Sequence, residues 1–277
     1  MAPFAPAIDA HVHVLPERLL AAVRSALTDE AGWEFDHPTD RERIEAVLRE
    51  AGVERYVSLP YAHRPDVAAD LNEWVRARAD ESEMLIPFAT VHPEDDVADV
   101  VYDAFEAGAR GLKFHCPVQR CAPDDPRLDP AYELAADFDR PVLFHAGTAP
   151  MFRGDDTVGP APFESFAESF PDVRACAAHM GAYDVETFLA FAEDYDGVFL
   201  DTTFAMSSAA ERYMDFDPGT VADDRIEALS DSIMYGSDYP NVPHDYAAER
   251  DHLLSRDLPE TTYRDVFYRT AERFLDL

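Results

Sequence analysis

Eight short apolar runs rich in β-branched and aromatic residues begin near Ile8, Val53, Met84, Ala109, Pro141, Val173, Val198 and Ile233, each followed by a stretch with helical spacing. Their starts lie mostly about 30 residues apart, the length of one strand–helix–strand crossover. Buried strands that alternate with amphipathic helices call for a parallel sheet, and eight such units can close into a (β/α)8 TIM barrel. The helical stretches cover residues 39–52, 67–79, 97–107, 130–138, 163–170, 185–193 and 221–229, then 246–254 followed by 263–275. In the first, Thr39 and Glu42 read as a capping box, Ile44, Val47, Leu48 and Ala51 share one face, and Gly52 supplies the stop. A doubly wound open sheet is the rival. It would carry a Gly-rich phosphate turn after the first strand, where this chain has His11-Val12-His13. No linker of Gly, Ser or Pro splits the 277 residues, so residues 1–277 read as one domain.

Composition narrows the partners. The chain has 23 Lys+Arg against 56 Asp+Glu, a formal net charge of −33, yet it is 47% hydrophobic and 12% aromatic, so it buries a core and is no disordered acidic tail. The acidic residues are spread from Asp9 to Asp276. That pattern resembles proteins that work in concentrated salt, where charge is screened over about 3 Å at 1 M. Nucleic acid and anionic membranes are poor partners for such a surface. The start lacks the basic and apolar regions of a signal peptide and no apolar run of membrane-spanning length occurs, so a soluble, cytoplasmic protein is expected. Cys116, Cys121 and Cys176 are odd in number and match no common zinc spacing, and they read as reduced, structural thiols.

In a barrel of this kind, chemistry collects at the C-terminal ends of the strands. There the sequence sets His11 and His13 on the first strand, Lys113 and His115 on the fourth, His145 on the fifth, His179 on the sixth and Asp238 on the eighth. Strand side chains alternate faces, so both members of each pair point to the same side. Two imidazoles at i and i+2 form a chelating pair for a metal such as zinc, and His145 and Asp238 would complete a site of nitrogen and oxygen donors. Asp9 is in phase with the two histidines but deeper, and reads as an acceptor that supports them. Lys113 is the only lysine, which suggests a site that needs an amine Arg cannot imitate.

The segments Ile8-Asp9-Ala10-His11-Val12-His13, Gly111-Leu112-Lys113-Phe114-His115, Val142-Leu143-Phe144-His145-Ala146-Gly147, Ala178-His179-Met180-Gly181 and Tyr235-Gly236-Ser237-Asp238-Tyr239-Pro240 together resemble the amidohydrolase superfamily. The resemblance is narrower still to its branch of metal-dependent TIM-barrel hydrolases and aromatic-acid decarboxylases. It implies one divalent metal, most simply zinc, among His11, His13, His145 and Asp238. Asp238 would be the general base for a water attacking an ester, lactone or amide carbonyl of a small molecule, and His179 would steady the oxyanion. Lys113 and His115 would contact the substrate. A second metal enters only if Lys113 carries CO2, as in other branches. A homodimer is compatible with the family.

Nonoxidative decarboxylation of an aromatic or unsaturated acid on the same metal site is the alternative. The compact chain and the His145-Ala146-Gly147 turn favour hydrolysis. A two-metal nuclease would need an acidic ligand after the fourth strand, and a scaffold without catalysis would not keep the full ligand set. The first connection, residues 14–38 with Trp33 and Phe35, and residues 149–162 with Met151, Phe152 and Arg153, are placed to cover the site. His63 and His92 are weaker candidates for its mouth, and His37, His244 and His252 read as surface or helix residues.

Overall fold

A computed structural model of the chain describes residues 6–147, 150–152 and 154–277. The strands are β1 (Ala7–Val12), β2 (Val53–Ser58), β3 (Leu85–Pro87), β4 (Leu112–Phe114), β5 (Val142–Phe144), β6 (Ala175–Ala177), β7 (Val198–Asp201) and β8 (Ile233–Met234). Every neighbouring pair is parallel, within β1 to β3 and within β4 to β8. Two seams close the ring. Ala89 bridges to Leu112, with the Ala89 N–H donating to Gly111 O at 2.8 Å, and Val12 bridges to Tyr239, with the Ala10 N–H donating to Tyr235 O at 2.9 Å. The chain is therefore a closed (β/α)8 barrel.

Parity sorts the side chains. Leu112 and Phe114, Val142 and Phe144, and Val198 and Leu200 face the helices in one core, whereas Leu143, Cys176, Phe199 and Met234 fill the barrel interior with Ile8, Ala10 and Phe88. Ala271, Phe274 and Leu275 of the last helix belong to this inner cluster and plug the barrel from its closed end. The inner residues at the open end are then free to carry chemistry.

Most predicted helices match their spans to within a few residues; the short helices Cys116–Gln119 and Ala210–Met214 lie outside them, and three further differences matter more. The helix Arg41–Glu50 is capped by Asp40, whose carboxylate accepts from the Arg43 N–H at 3.0 Å, so Thr39 is not its cap. A 15-residue helix, Glu17–Ala31, occupies the first connection; its only fully buried residue is Leu20, too thin an apolar face to read as periodicity. The final helix is interrupted by a wider turn at Asp265–Arg269 between Glu260–Arg264 and Thr270–Leu275. The three cysteines are buried free thiols. Among the described residues, no helix is long and apolar enough to cross a membrane.

Candidate active site

A cavity of about 260 Å³ opens at the C-terminal ends of the strands, and every residue singled out above as ligand or contact lines it: His11, His13, Lys113, His115, His145, His179 and Asp238. Three of them form a cradle. His11, His13 and Asp238 offer ligand atoms that all lie within 4.8 Å of one another. His13 Nε2 is 2.9 Å and His11 Nε2 3.6 Å from the same oxygen, Asp238 Oδ1.

Each ring is set from behind. His13 Nδ1 donates to Leu59 O at 2.7 Å, and His11 Nδ1 donates to Asp201 Oδ2 at 2.8 Å. Because Nδ1 carries the hydrogen, Nε2 of both rings presents a lone pair to the cavity, which is what a metal requires. Burial lowers His11 to a pKa of about 4 and keeps it neutral, against the opposing charge of Asp201. Burial alone would raise Asp201, but His11 and His179 hold it well below the ordinary carboxylate range; its other oxygen accepts from the His179 N–H at 2.9 Å and the Thr203 N–H at 3.2 Å. Asp238 is likewise held low, burial being outweighed by the neighbouring His13 and His11. His11 and Asp238 thus bring a neutral imidazole and an ionised carboxylate to the cradle.

The donor set fits a divalent ion. At bond lengths of about 2.0 to 2.2 Å, neighbouring donors in tetrahedral or octahedral sites stand about 3 to 3.5 Å apart, close to the observed spacing. Backbone placement reinforces the cradle. Asp238 sits at φ 55°, a conformation disfavoured for a residue with a side chain, and its N–H donates to His11 O at 2.8 Å. Two residues earlier, Gly236 has no room for a side chain, since a Cβ would stand 2.3 Å from Thr203 Oγ1 and 2.9 Å from His11 Cβ.

His145 stands apart from the group of three and is oriented by a chain of hydrogen bonds. His179 Nδ1 contacts Thr203 O at 3.2 Å, and a carbonyl can only accept, so Nδ1 bears the hydrogen. His179 Nε2 must then accept from His145 Nδ1 at 3.1 Å, leaving a lone pair on His145 Nε2, which is buried without a partner. Burial lowers both rings and keeps them neutral. His115 stacks on His145 with centroids 4.2 Å apart, its Nδ1 also unpartnered. Lys113 is fully buried, with no partner for Nζ among the described residues, and burial brings it down to about 8 against the pull of Asp201 and Asp238.

Three contributors escaped the sequence reading. Asp201 ends β7 two residues after the inward Phe199, so parity alone could have found it. Tyr61 follows β2 and packs edge-on to His13 at 5.6 Å. Asn241 lines the cavity three residues after Asp238, with a buried, unpartnered Oδ1. Asp9 departs from expectation in the other direction. The register with β2 slips between Asp9 and Val12, so the Asp9 side chain is turned out of phase with those of the histidines; it still supports His11, accepting from its N–H at 3.1 Å, and accepts also from Ser237 Oγ at 2.6 Å and Tyr246 OH at 2.9 Å.

The mouth is mainly apolar, with Glu30 the one acidic side chain beside Leu27 and Ala31 among the described residues. Trp33 stacks on Phe204 at 5.4 Å, Phe35 packs on Trp33 from outside, and Val23, Leu27, Met151 and Phe152 complete the wall. Ala149 and Arg153 lie outside the described residues. His63 is exposed and His92 is buried beside Glu94, and neither lines the cavity. His244 is not a surface residue: it pairs with buried Glu249 at 2.7 Å, and Glu249 in turn accepts from the N–H of Phe204. His37 reaches His244 O through Nε2 at 2.9 Å.

A closed parallel barrel with a His/His/Asp cradle at the open ends of β1 and β8 defines a class of TIM-barrel enzyme. The amidohydrolase family model matches residues 8–277, and the chain belongs to that family. Among solved structures, an uncharacterised TIM-barrel protein from Bordetella bronchiseptica superposes with a TM-score of 0.72 at 18% identity, covering 98% of each chain. A 5-carboxyvanillate decarboxylase from Novosphingobium aromaticivorans, complexed with manganese and 4-hydroxy-3-methoxy-5-nitrobenzoic acid, gives 0.64 at 16% identity, covering 100% of this chain and 97% of that one. A 2,6-dihydroxybenzoate decarboxylase from Rhizobium gives 0.66 at 13% identity, covering 98% and 99%. At these identities the likeness is one of fold. No curated protein sequence matches the chain at a significant level.

Proposed function

We propose that the protein is a metal-dependent hydrolase acting on an ester, lactone or amide carbonyl of a small molecule. The observation that carries this reading is Asp238, the carboxylate shared by both cradle imidazoles and the one cradle side chain with appreciable exposure, 18% against 1% and 5% for the two histidines. His11, His13 and Asp238 would hold the ion, with His145 Nε2 as a fourth donor; three nitrogens and one oxygen suit zinc. When bound, a divalent ion polarises a carbonyl and lowers the pKa of water from 15.7 towards about 7.

The chain's own residues do the rest. Asp238 takes a proton from the attacking water as the new carbon–oxygen bond forms, and returns it to the leaving oxygen or nitrogen as that bond breaks. Lys113 and His115 contact the substrate: a buried ammonium without a partner is costly unless an anionic group meets it, so a carboxylate-bearing substrate fits Lys113. The sequence reading gave His179 the oxyanion, but both its nitrogens are engaged with Thr203 and His145, so we assign it the orientation of His145. The strongly acidic composition points to a salt-rich, cytoplasmic setting.

Decarboxylation of an aromatic acid is a second reading, favoured by the likeness to two decarboxylases and by the aromatic wall around Trp33. The two are separated by offering the zinc- or manganese-loaded protein a panel of lactones, esters and amides beside hydroxybenzoic acids, while recording hydrolysis and CO2 release together. Hydrolysis without CO2, lowered about 10²- to 10⁴-fold by Asp238→Asn, is the expected result. CO2 release alone, or an Asp238→Asn variant with unchanged rate, would sink the hydrolase reading.

A further inference from the structure

Removing His179 from the substrate leaves a gap in the machinery. A carbonyl oxygen that gains negative charge under attack needs a hydrogen-bond donor besides the ion, and the donor must stand beside the cradle. Lys113 is matched to an anionic substituent, and His115 lies flat against His145. Two tyrosines line the cavity. Tyr213 belongs to the outer wall, edge-on to Trp33 at 6.2 Å. Tyr61 lies against the cradle: its ring is edge-on to His13 at 5.6 Å and tilted over His115 at 5.0 Å, between a cradle ligand and a substrate contact.

Tyr61 is only 6% exposed, so its position is fixed by packing. Its neighbours in the chain explain this. Leu59, whose carbonyl anchors His13 Nδ1, and Pro60 directly precede it, so the strand end that orients the ligand also places the Tyr61 ring beside it. A phenol hydroxyl rotates freely about its C–O bond and donates without needing a particular tautomer, which an imidazole in this crowded cluster does.

We propose that Tyr61 is a catalytic residue whose hydroxyl donates a hydrogen bond to the carbonyl oxygen of the substrate as that oxygen becomes an oxyanion. The proton stays on Tyr61 throughout. Water adds to the carbonyl carbon, the π electron pair moves to the oxygen facing Tyr61, Asp238 carries the water proton to the leaving atom, and the carbon–oxygen double bond reforms as the leaving group departs. The assignment rests on the hydrolase reading for its chemistry but is tested by binding.

The test compares wild type with Tyr61→Phe, both zinc-loaded, by calorimetric titration with phenylphosphonate, a tetrahedral oxyanion, and with benzoate, its planar counterpart. Metal content and melting temperature are measured alongside, and Tyr61→Met serves as a second variant should Phe fail to fold. The expected result is a loss of about ten- to a hundredfold in phenylphosphonate affinity, with benzoate affinity changed less than about threefold and metal content unchanged. Equal losses for both ligands, no loss for either, or a wild type that does not prefer phenylphosphonate to benzoate would each overturn the assignment. If the selective loss is found while wild type hydrolyses nothing in the substrate panel, Tyr61 stands and the hydrolase reading falls.

Discussion

The two sides of the cavity are built on opposite principles. On the β1 and β8 side, His11, His13 and Asp238 are fully supported, each ring pinned through Nδ1 by a carboxylate or a carbonyl and each Nε2 turned to one carboxylate oxygen. On the β4 and β5 side, Lys113 Nζ, His115 Nδ1 and His145 Nε2 are buried without partners among the described residues. Buried polar groups are nearly always satisfied within a fold, so the first side is finished by the protein and the second is left for what it binds. One wall sets a geometry in advance, and the other presents its polar atoms to what binds there.

The largest expected effect concerns acid. Unfolded His11 titrates near 6.5 and folded His11 near 4, so its contribution to stability is complete above pH 6.5 and is lost as pH falls towards 4. That difference corresponds to about 3 kcal/mol. His115, His145 and His179 are lowered by burial too and act in the same direction, while Asp9, raised by burial to about 7, acts in the opposite one. Metal-free protein should therefore lose melting temperature steeply between pH 6.5 and 4, and His11→Gln should flatten that slope. A flat wild-type profile would mean that the histidines are not held neutral.

Next comes the support behind the cradle. Asp201→Asn keeps the shape but removes the charge that fixes the His11 tautomer, and zinc affinity in a chelator competition should fall about 10- to 100-fold. An unchanged affinity would show that β7 plays no part in the metal site. The smallest effect separates the two walls most sharply. Lys113→Met replaces an unpartnered buried amine with an apolar chain of similar length, so urea unfolding should show stability unchanged or raised by about 1 to 2 kcal/mol, with benzoate binding lost. Destabilisation on that scale would mean that Lys113 is a structural cation after all.

The residues that could be read in advance share one property: they are local. His11 and His13, Lys113 and His115, and His145 each sit at a fixed parity on a strand whose apolar pattern marks its face. The order of strand ends around a closed barrel then brings them together. Asp201 was equally open to that reasoning, but a lone aspartate among 56 acidic residues does not stand out. The acceptor role of Asp9 was legible but its face was not, because the slip in register before Val12 is a property of strand pairing and not of the run Ile8-Asp9-Ala10-His11. The helix Glu17–Ala31 was hidden for a similar reason, its apolar residues being spent on a cavity wall and not on a continuous core stripe.

The sequence by itself determined the barrel, through the repeated alternation of buried strand and amphipathic helix, and it determined which strand ends carry imidazole, amine and carboxylate. Only the tertiary structure decided which nitrogen of each histidine faces the cavity. That depends on acceptors far away in the chain, Leu59 for His13, Asp201 for His11 and Thr203 for His179, and a hydrogen-bond partner contributed by another strand leaves no trace in the local pattern of residues.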